Sequence, residues 1–257
     1  MEKPYPLRLE KAPIVEAIVE IRFSSSLPED AIFGVIHGQL KDEYPNHTQL
    51  PIMQLPADIR KKEATLRHQA YYQLSGNSPL LIGIGPRVLS IGYTKYSSNK
   101  TVDYPGWTDY MASEASRVIE TSLASLPEVK IERLGIRYQD FFKSVNIFDG
   151  TEPSFEFPQR TTKSLMVKTS IEDKDMVHGI TISNSANINL QEETGIRIES
   201  GSILDIDTAI DNIKENIFDN TKELLTRVHD ANKELFYEIL KKDFVNSLGA
   251  VYPSIEK

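Results

Sequence analysis

The sequence predicts an α+β protein in which antiparallel β-meanders pack against amphipathic helices. Apolar and polar residues alternate with a period of two in several segments, which is typical of strands that bury one face. Glycine and proline residues separate these segments at short intervals and favour tight turns. Each half of the chain closes with apolar residues at helical spacing. We therefore expect two pseudo-repeated halves, β-α-β-meander-α and then β-meander-α, with a long C-terminal helix.

The first predicted strand covers residues 14–23, where every second residue is apolar. These residues are Val15, Ala17, Val19, Ile21 and Phe23. A short amphipathic helix is predicted next, between Pro28 and Pro45, because three apolar residues recur there every four positions. They are Ile32, Ile36 and Leu40.

Antiparallel strands are expected from about residue 47 to residue 96. Strand-forming residues dominate 65–74, and the segments 80–84 and 88–94 flank Gly85-Pro86, which indicates a tight hairpin. Hairpin geometry also explains the glycines here, since the lysine and helix N-terminus of a phosphate-binding loop are missing. Pro105 then stands at the usual first position of a helix.

The second half is predicted to open with a strong strand over residues 130–142. A polar, proline-containing stretch at 146–162 leads into more strands. These are predicted at 164–171, 176–183, 186–190 and 196–203. The chain is expected to end in helix, either as one long helix or as a pair broken near His229-Asp230.

Thr208 and Asp211 form a pattern typical of a helix N-terminus, so we predict that the last helical region begins there. Asp205 and Asp207 precede it closely. Alternate carboxylates on a strand suit magnesium. We interpret the pair instead as helix caps that complement the helix dipole.

The proposed halves are residues 1–128 and 129–257, either as separate units or as one fused domain. Glu20-Ile21-Arg22-Phe23 echoes Gly135-Ile136-Arg137-Tyr138 at an offset of 115 residues. The echo is short, but the repeated order of elements favours internal duplication or a pseudo-symmetric fused sheet. The sequence leaves open whether the two halves share one sheet.

The charge balance is acidic, with 29 Lys and Arg residues against 37 Asp and Glu residues and a net charge of −8. This balance argues against nucleic acid as the main partner, because phosphate-backbone binding needs clustered cations. The nearest basic cluster is Arg60-Lys61-Lys62 with Arg67 and His68, which we expect on a solvated strand edge or loop. The chain has no cysteine, its N-terminal region is charged, and it has no long apolar stretch. We therefore predict a cytoplasmic protein without membrane spans.

No catalytic residue, metal ligand or cofactor is assigned from the sequence. The five histidines lack the close spacing of a metal-binding pair, and no nucleophile motif occurs. The sequence leaves enzymatic activity undecided and favours a non-catalytic protein.

One polar set nevertheless stands out as a candidate ligand-binding site on two matching strands. It consists of Glu16, Glu20, Arg22, Arg133, Arg137 and Gln139. On a cupped sheet these residues would form a charged trough, as in triphosphate tunnel enzymes. The same pattern arises where a wet sheet face carries routine cross-strand ion pairs.

Three segments resemble a sporadically distributed, uncharacterised bacterial protein family. Lys11-Ala12-Pro13-Ile14-Val15-Glu16-Ala17 resembles its N-terminal strand motif. Arg133-Leu134-Gly135-Ile136-Arg137-Tyr138 is similar to its mid-chain strand, although Gln139-Asp140 replaces an expected asparagine-containing continuation. Val228-His229-Asp230-Ala231-Asn232 with Phe236 is similar to its closing helix. The resemblance covers both ends and the middle of the chain.

The patchy occurrence of that family implies mobile genes involved in phage defence or toxin–antitoxin conflict. The leading hypothesis is therefore a non-catalytic interaction subunit, sensor or neutralising partner whose protein partner comes from the same operon. A homo-oligomer is also compatible with the sequence. The alternative is a metal-dependent nucleotide- or triphosphate-binding protein that uses the charged trough, and a nucleic-acid-binding saddle is disfavoured by the net charge.

Overall fold

The computed structural model describes residues 5–97, 100–155, 163–192, 195–213 and 217–253. Its centre is a nine-stranded antiparallel sheet, and α1, α3 and α4 pack on one face of it. The strands are β1 (Arg8–Leu9), β2 (Ile14–Ser24), β3 (Asn46–Gln49), β4 (Tyr72–Ser75), β5 (Leu81–Gly85), β6 (Val88–Thr94), β7 (Tyr96–Ser97), β8 (Lys100–Thr101), β9 (Lys130–Lys143), β10 (Met166–Asp173), β11 (Met176–Glu192), β12 (Gly195–Asp211) and β13 (Ala250–Val251). The α-helices are α1 (Glu29–Leu40), α2 (Ala57–Lys62), α3 (Ala112–Leu123), α4 (Thr221–Ile239) and α5 (Lys242–Ser247). The predicted α+β class with antiparallel meanders is confirmed.

The strand order of the large sheet is β10-β11-β12-β9-β2-β6-β5-β4-β3, and β1–β13 and β7–β8 form separate two-stranded ribbons. The two predicted halves therefore meet at the β2–β9 pair and share one sheet. Glu20 and Gly135, which the 115-residue offset equates, lie directly opposite each other. This register is compatible with a two-fold relation between the halves, and duplication stays a prediction.

Two apolar clusters fill the inner face, which is the face covered by helices. The larger cluster joins β2, β5, β6 and the first half of β9 to α1, α3 and α4. The smaller cluster joins β11, β12 and the end of β9 to α5 and the end of α4. Tyr138 belongs to the first cluster and Phe142 to the second. Asp140 lies between them on the same strand and is 2% exposed.

Several predicted boundaries in the meanders need correction. The segment 65–74 is mostly not a strand: α2 and a 3-10 turn at Ala64–Leu66 precede β4, which begins only at Tyr72. Arg60-Lys61-Lys62 therefore lie on a helix. The strands predicted at 176–183 and 186–190 are one strand, β11, whose register shifts between Ser183 and Ala186. A β-bulge interrupts the alternation without ending the strand, and this is why the sequence suggested a break.

The predicted helix start at Thr208 is wrong, and so is the interpretation of Asp205 and Asp207 as helix caps. β12 continues to Asp211, a 3-10 turn covers Ile217–Asp219, and α4 begins at Thr221. The segment alternates buried Leu204, Ile206, Thr208 and Ile210 with outward aspartates, which is a strand period. The α4 helix then runs unbroken through His229-Asp230. The predicted polar stretch at 146–162 lies partly outside the described residues.

Candidate functional site

The register of β2 and β9 brings the six predicted site residues together on the outer face of the sheet, which is the face opposite α1, α3 and α4. Glu16 lies opposite Gln139, and Arg22 lies opposite Arg133. Arg137 lies opposite Ile18, between those two rows. The charged trough was predicted from alternation alone, and its residues are neighbours in space.

The neighbouring strand β12 contributes three aspartates to the same face that were not part of the predicted set. Asp205 pairs with Gln139, Asp207 with Arg137, and Asp211 with Arg133. We define the charged sheet face by the nine residues Glu16, Glu20, Arg22, Arg133, Arg137, Gln139, Asp205, Asp207 and Asp211. The strand alternation of residues 203–211 was the signal that could have found the aspartates.

Arg137 and Asp205 form the strongest pair on the charged sheet face. The guanidinium Nε donates to Oδ1 at 2.8 Å, and Nη2 donates to Oδ2 at 2.5 Å, so the contact is bidentate. The Asp205 side chain is 16% exposed and that of Arg137 is 41% exposed. Gln139 donates a longer hydrogen bond to the same carboxylate at 3.4 Å. Asp205 is thus held by two residues of β9.

Arg133 connects three strands at the centre of the face. Its Nη2 donates to Asp207 Oδ2 at 2.7 Å and its Nη1 donates to Glu20 Oε1 at 3.2 Å. Asp211 Oδ1 lies 3.7 Å from Nε. The side chain passes over Gly135, since a Cβ there would come within 2.6 Å of Nη1. A glycine at this position makes room for an arginine that lies flat on the sheet.

Glu20 is shared between two arginines, because Arg22 Nε also donates to Glu20 Oε1 at 2.8 Å. A carboxylate between them offsets the repulsion of Arg22 and Arg133, which face each other across the strands. The charged sheet face holds five carboxylates and three guanidinium groups, so its formal charge is −2. Like the whole chain, the face carries more acidic than basic residues.

At one end of the charged sheet face, the pKa of the Glu16 carboxyl group is shifted. Burial raises the pKa of Glu16, the charge of Arg137 opposes this rise, and Asp205 adds to it. The distance of 3.9 Å between Glu16 Oε2 and Arg137 Nη1 explains why the compensation is partial. The carboxylate contacts raise the pKa of Arg137 well above its ordinary value. Burial and the Asp205 charge therefore favour the protonated form of Glu16, and Arg137 favours the ionised form.

A second small cluster borders the charged sheet face near β6. Arg87 donates a short hydrogen bond to Glu132, and His68 Nε2 lies 3.6 Å from the other oxygen of that carboxylate. Burial lowers the pKa of His68, the nearby charges of Arg22 and Arg87 lower it further, and Glu132 partly opposes this shift. The balance favours the neutral imidazole.

The predicted basic cluster does not assemble into a groove. The guanidinium of Arg60 lies 4.6 Å from the ring centroid of Tyr71, and Lys61 pairs with Glu29 at 3.5 Å. His68 belongs to the cluster around Glu132 instead. Arg60, Lys61 and His68 therefore contact three separate partners.

The geometry of the charged sheet face limits what it can bind. Within the described ranges, no three His, Asp or Glu side chains are grouped closely enough to hold a metal ion. An incoming phosphate would compete with Asp205 for Arg137 and with Asp207 for Arg133. A cationic group meets surplus carboxylates instead, because Asp207 and Asp211 are 40% and 51% exposed. The face is best suited to a basic partner surface.

Two residues of α4, His229 and Asn232, anchor this helix on the inner side of the sheet. Asn232, which is buried, donates through Nδ2 to Ile206 O and Thr208 Oγ1 at 3.0 Å and to Ile136 O at 3.3 Å. His229 stacks on Trp107 with ring centroids 4.4 Å apart. Asn232 thus joins α4 to β9 and β12, and His229 joins it to Trp107 just before α3.

In the part of the chain that the structure describes, no helix combines the length and apolar character required to span a membrane. No protein-family model matches the chain, and no curated protein matches it in sequence.

Proposed function

We propose that the chain is a non-catalytic protein-interaction subunit, acting as a sensor or neutralising partner in a bacterial anti-phage or toxin–antitoxin module. Its partner is a protein encoded in the same operon, and the pair acts in the cytoplasm. The single observation that carries this proposal is the charged sheet face, which extends over three strands and carries more carboxylates than arginines.

Two properties make the face suited to protein docking. Its arginines are held in place by Asp205, Asp207 and Glu20, so the charged groups are already oriented before a partner arrives. Its carboxylates outnumber its arginines, so basic residues on a partner are attracted and acidic surfaces are repelled. Glycines lie beside the face on both sides, Gly92 on β6 opposite Ile18 and Gly179 on β11 opposite Asp207.

The resemblance to a sporadically distributed bacterial family supports the defence setting of the proposal. Nucleic acid is disfavoured as a partner by the acidic face and by the net charge of −8.

Co-expression with the products of the flanking genes tests the proposal. A tagged chain should retain one of these proteins through affinity and size-exclusion steps. Asp211→Lys on the charged sheet face should weaken the complex at least tenfold by biolayer interferometry. Asp58→Lys on α2 is the matched control, since it changes the charge equally at an exposed site outside the face.

Two results would overturn the proposal. If no flanking gene product is retained, the assigned role in an operon-encoded complex is wrong. If a complex forms and both lysine variants bind equally well, the charged sheet face is not the docking surface. Thermal unfolding with nucleotides and magnesium checks the alternative, and no change in Tm is expected.

A further inference from the structure

The strand β10 forms one edge of the nine-stranded sheet. It pairs with β11 over its whole length, from Met166 opposite Ser183 to Asp173 opposite Met176. On its other side, no strand of the described residues pairs with it. Seven of its eight residues are exposed, and the strand contains neither proline nor a bulge. Natural proteins usually protect such an edge, because its free backbone groups are ready to pair with another strand.

The side chains of β10 are arranged symmetrically about Ser170. Lys168 and Glu172 lie two residues before and two residues after it, and the three side chains share the outer face of the sheet. Thr169 and Ile171 flank Ser170 on the inner face. Ile171 is 43% exposed although it is apolar. An antiparallel copy of the same strand would therefore present opposite charges and a compatible apolar edge.

We propose that the chain forms a homodimer in which β10 pairs antiparallel with β10 of a second copy, about a two-fold axis at Ser170. Lys168 then lies opposite the partner's Glu172, and Glu172 lies opposite the partner's Lys168. On the inner face Ile171 lies opposite the partner's Thr169, with the two isoleucines as diagonal neighbours across the axis. The result is a continuous sheet of eighteen strands.

Neighbouring registers are less favourable. A shift of one residue would turn outer side chains toward the inner face of the partner. A shift of two in one direction places Lys168 opposite the partner's Lys174, which repels. A shift of two in the other direction places Met166 opposite the partner's Glu172 and leaves Lys168 without a charged partner. The register centred on Ser170 is the one that pairs both charges.

The strand pair alone buries less surface than the roughly 1,200–2,000 Å² of a standard stable interface. We therefore expect a dissociation constant on the order of micromolar, near −8 kcal/mol. The two-fold axis keeps the helices of both copies on one side, so the two charged sheet faces lie on the other side. The dimer proposal does not depend on the proposed operon partner, because β10 contributes no residue to the charged sheet face.

A single introduced cysteine tests the register, because the chain contains no cysteine. Ser170→Cys should form an intermolecular disulfide under mild oxidation, since residues directly opposite each other have Cα atoms about 4.5–5.5 Å apart, a separation that a disulfide can span. Met166→Cys is the matched control, since Met166 is exposed on the same face and takes no part in the pairs of Lys168 with Glu172. Its copies lie about eight residues apart along the paired strands, roughly 26 Å, and should not cross-link.

Analytical ultracentrifugation of the unmodified chain between about 1 and 200 µM checks the dimer itself, since association in the micromolar range must appear over this interval. Lys168→Glu and Glu172→Lys should each weaken association at least fivefold, and the double variant should restore it. A monomer throughout this range overturns the proposal. So does equal cross-linking of both cysteine variants, or a double variant no better than the single ones.

Discussion

The guanidinium of Arg133 lies over Gly135, two residues further along the same strand, and this contact lets one arginine reach carboxylates on both neighbouring strands. Glu20 belongs to β2 and Asp207 belongs to β12, so the three central strands are joined on their outer face by a single side chain. The arrangement depends on the absence of a side chain at position 135.

Gly135→Ala should displace the Arg133 guanidinium, because the new Cβ would lie 2.6 Å from Nη1. Because the guanidinium is the far end of a flexible side chain, we expect a loss of about 0.5–1 kcal/mol in the free energy of unfolding, measured by urea denaturation, from weakened ion pairs with Glu20 and Asp207. Gly179→Ala is the matched control on the same face, since its Cβ would meet Asp207 at an ordinary 3.9 Å. Equal losses in both variants would contradict the role assigned to Gly135.

The Arg137–Asp205 pair should show a coupling free energy of about 1–2 kcal/mol in a double-mutant cycle with Arg137→Met and Asp205→Asn. Exposed pairs usually give about 0.2–1 kcal/mol, and the low exposure of Asp205 should raise the value.

Arg227 and Asp175 provide the comparison cycle, because they also form a two-point contact but are 51% and 50% exposed. Their coupling should be smaller and should fall further in 1 M salt. A larger coupling for the exposed pair would show that burial on the charged sheet face does not strengthen its ion pairs.

Asp140 should make the protein less stable as the pH rises from about 4 to about 8. Burial raises the pKa of Asp140 to about 8 in the folded chain, and the charge of Asp205 adds to the rise. The unfolded chain has the ordinary value of about 3.9, so within this window the folded state binds the extra proton and each pH unit costs up to about 1.4 kcal/mol. Asp140→Asn should flatten this part of the curve. If the curves of unfolding free energy against pH were parallel for the two proteins, Asp140 would not be the source of the pH dependence.

Asn232→Asp should destabilise the chain by about 3 kcal/mol at neutral pH. The substitution keeps the shape of the side chain but replaces an amide donor by a carboxylate that faces three acceptors. Asn246→Asp is the control, since Asn246 is exposed and its oxygen already accepts from Tyr252. Chemical denaturation should therefore separate the two variants clearly, and similar midpoints would argue against the anchoring role of Asn232.

Periodicity predicted the elements that bury one face. The strand at 14–23, the hairpin at Gly85-Pro86 and the strand at 130–142 all appear within a few residues of their predicted bounds. The predictions were wrong where the same residues are compatible with both a helix and a strand. Thr208 and Asp211 are good helix caps, yet tertiary packing of Ile206 and Ile210 holds them in a strand. Local preference cannot reveal packing partners that are distant in sequence.

Only part of the candidate site was predicted, again because the sequence does not reveal which distant segments pack together. Alternation identified the outward residues of β2 and β9, but it could not identify which strand pairs with β9 on its other side. That strand is β12, and the three aspartates that complete the charged sheet face came with it. The role of Gly135 could not be predicted from the sequence either, because it depends on the path of the Arg133 side chain.

The pairing of β2 with β9 also has a consequence for synthesis on the ribosome. The partners in this pair, from Ser24 with Lys130 to Ile14 with Asp140, are more than a hundred residues apart. At roughly 5–20 residues per second, β2 waits about 5–20 seconds for β9 to emerge. During this time one edge of a strongly apolar strand has no partner. Glu16, Glu20 and Arg22 then act as gatekeepers that discourage aggregation of the nascent chain.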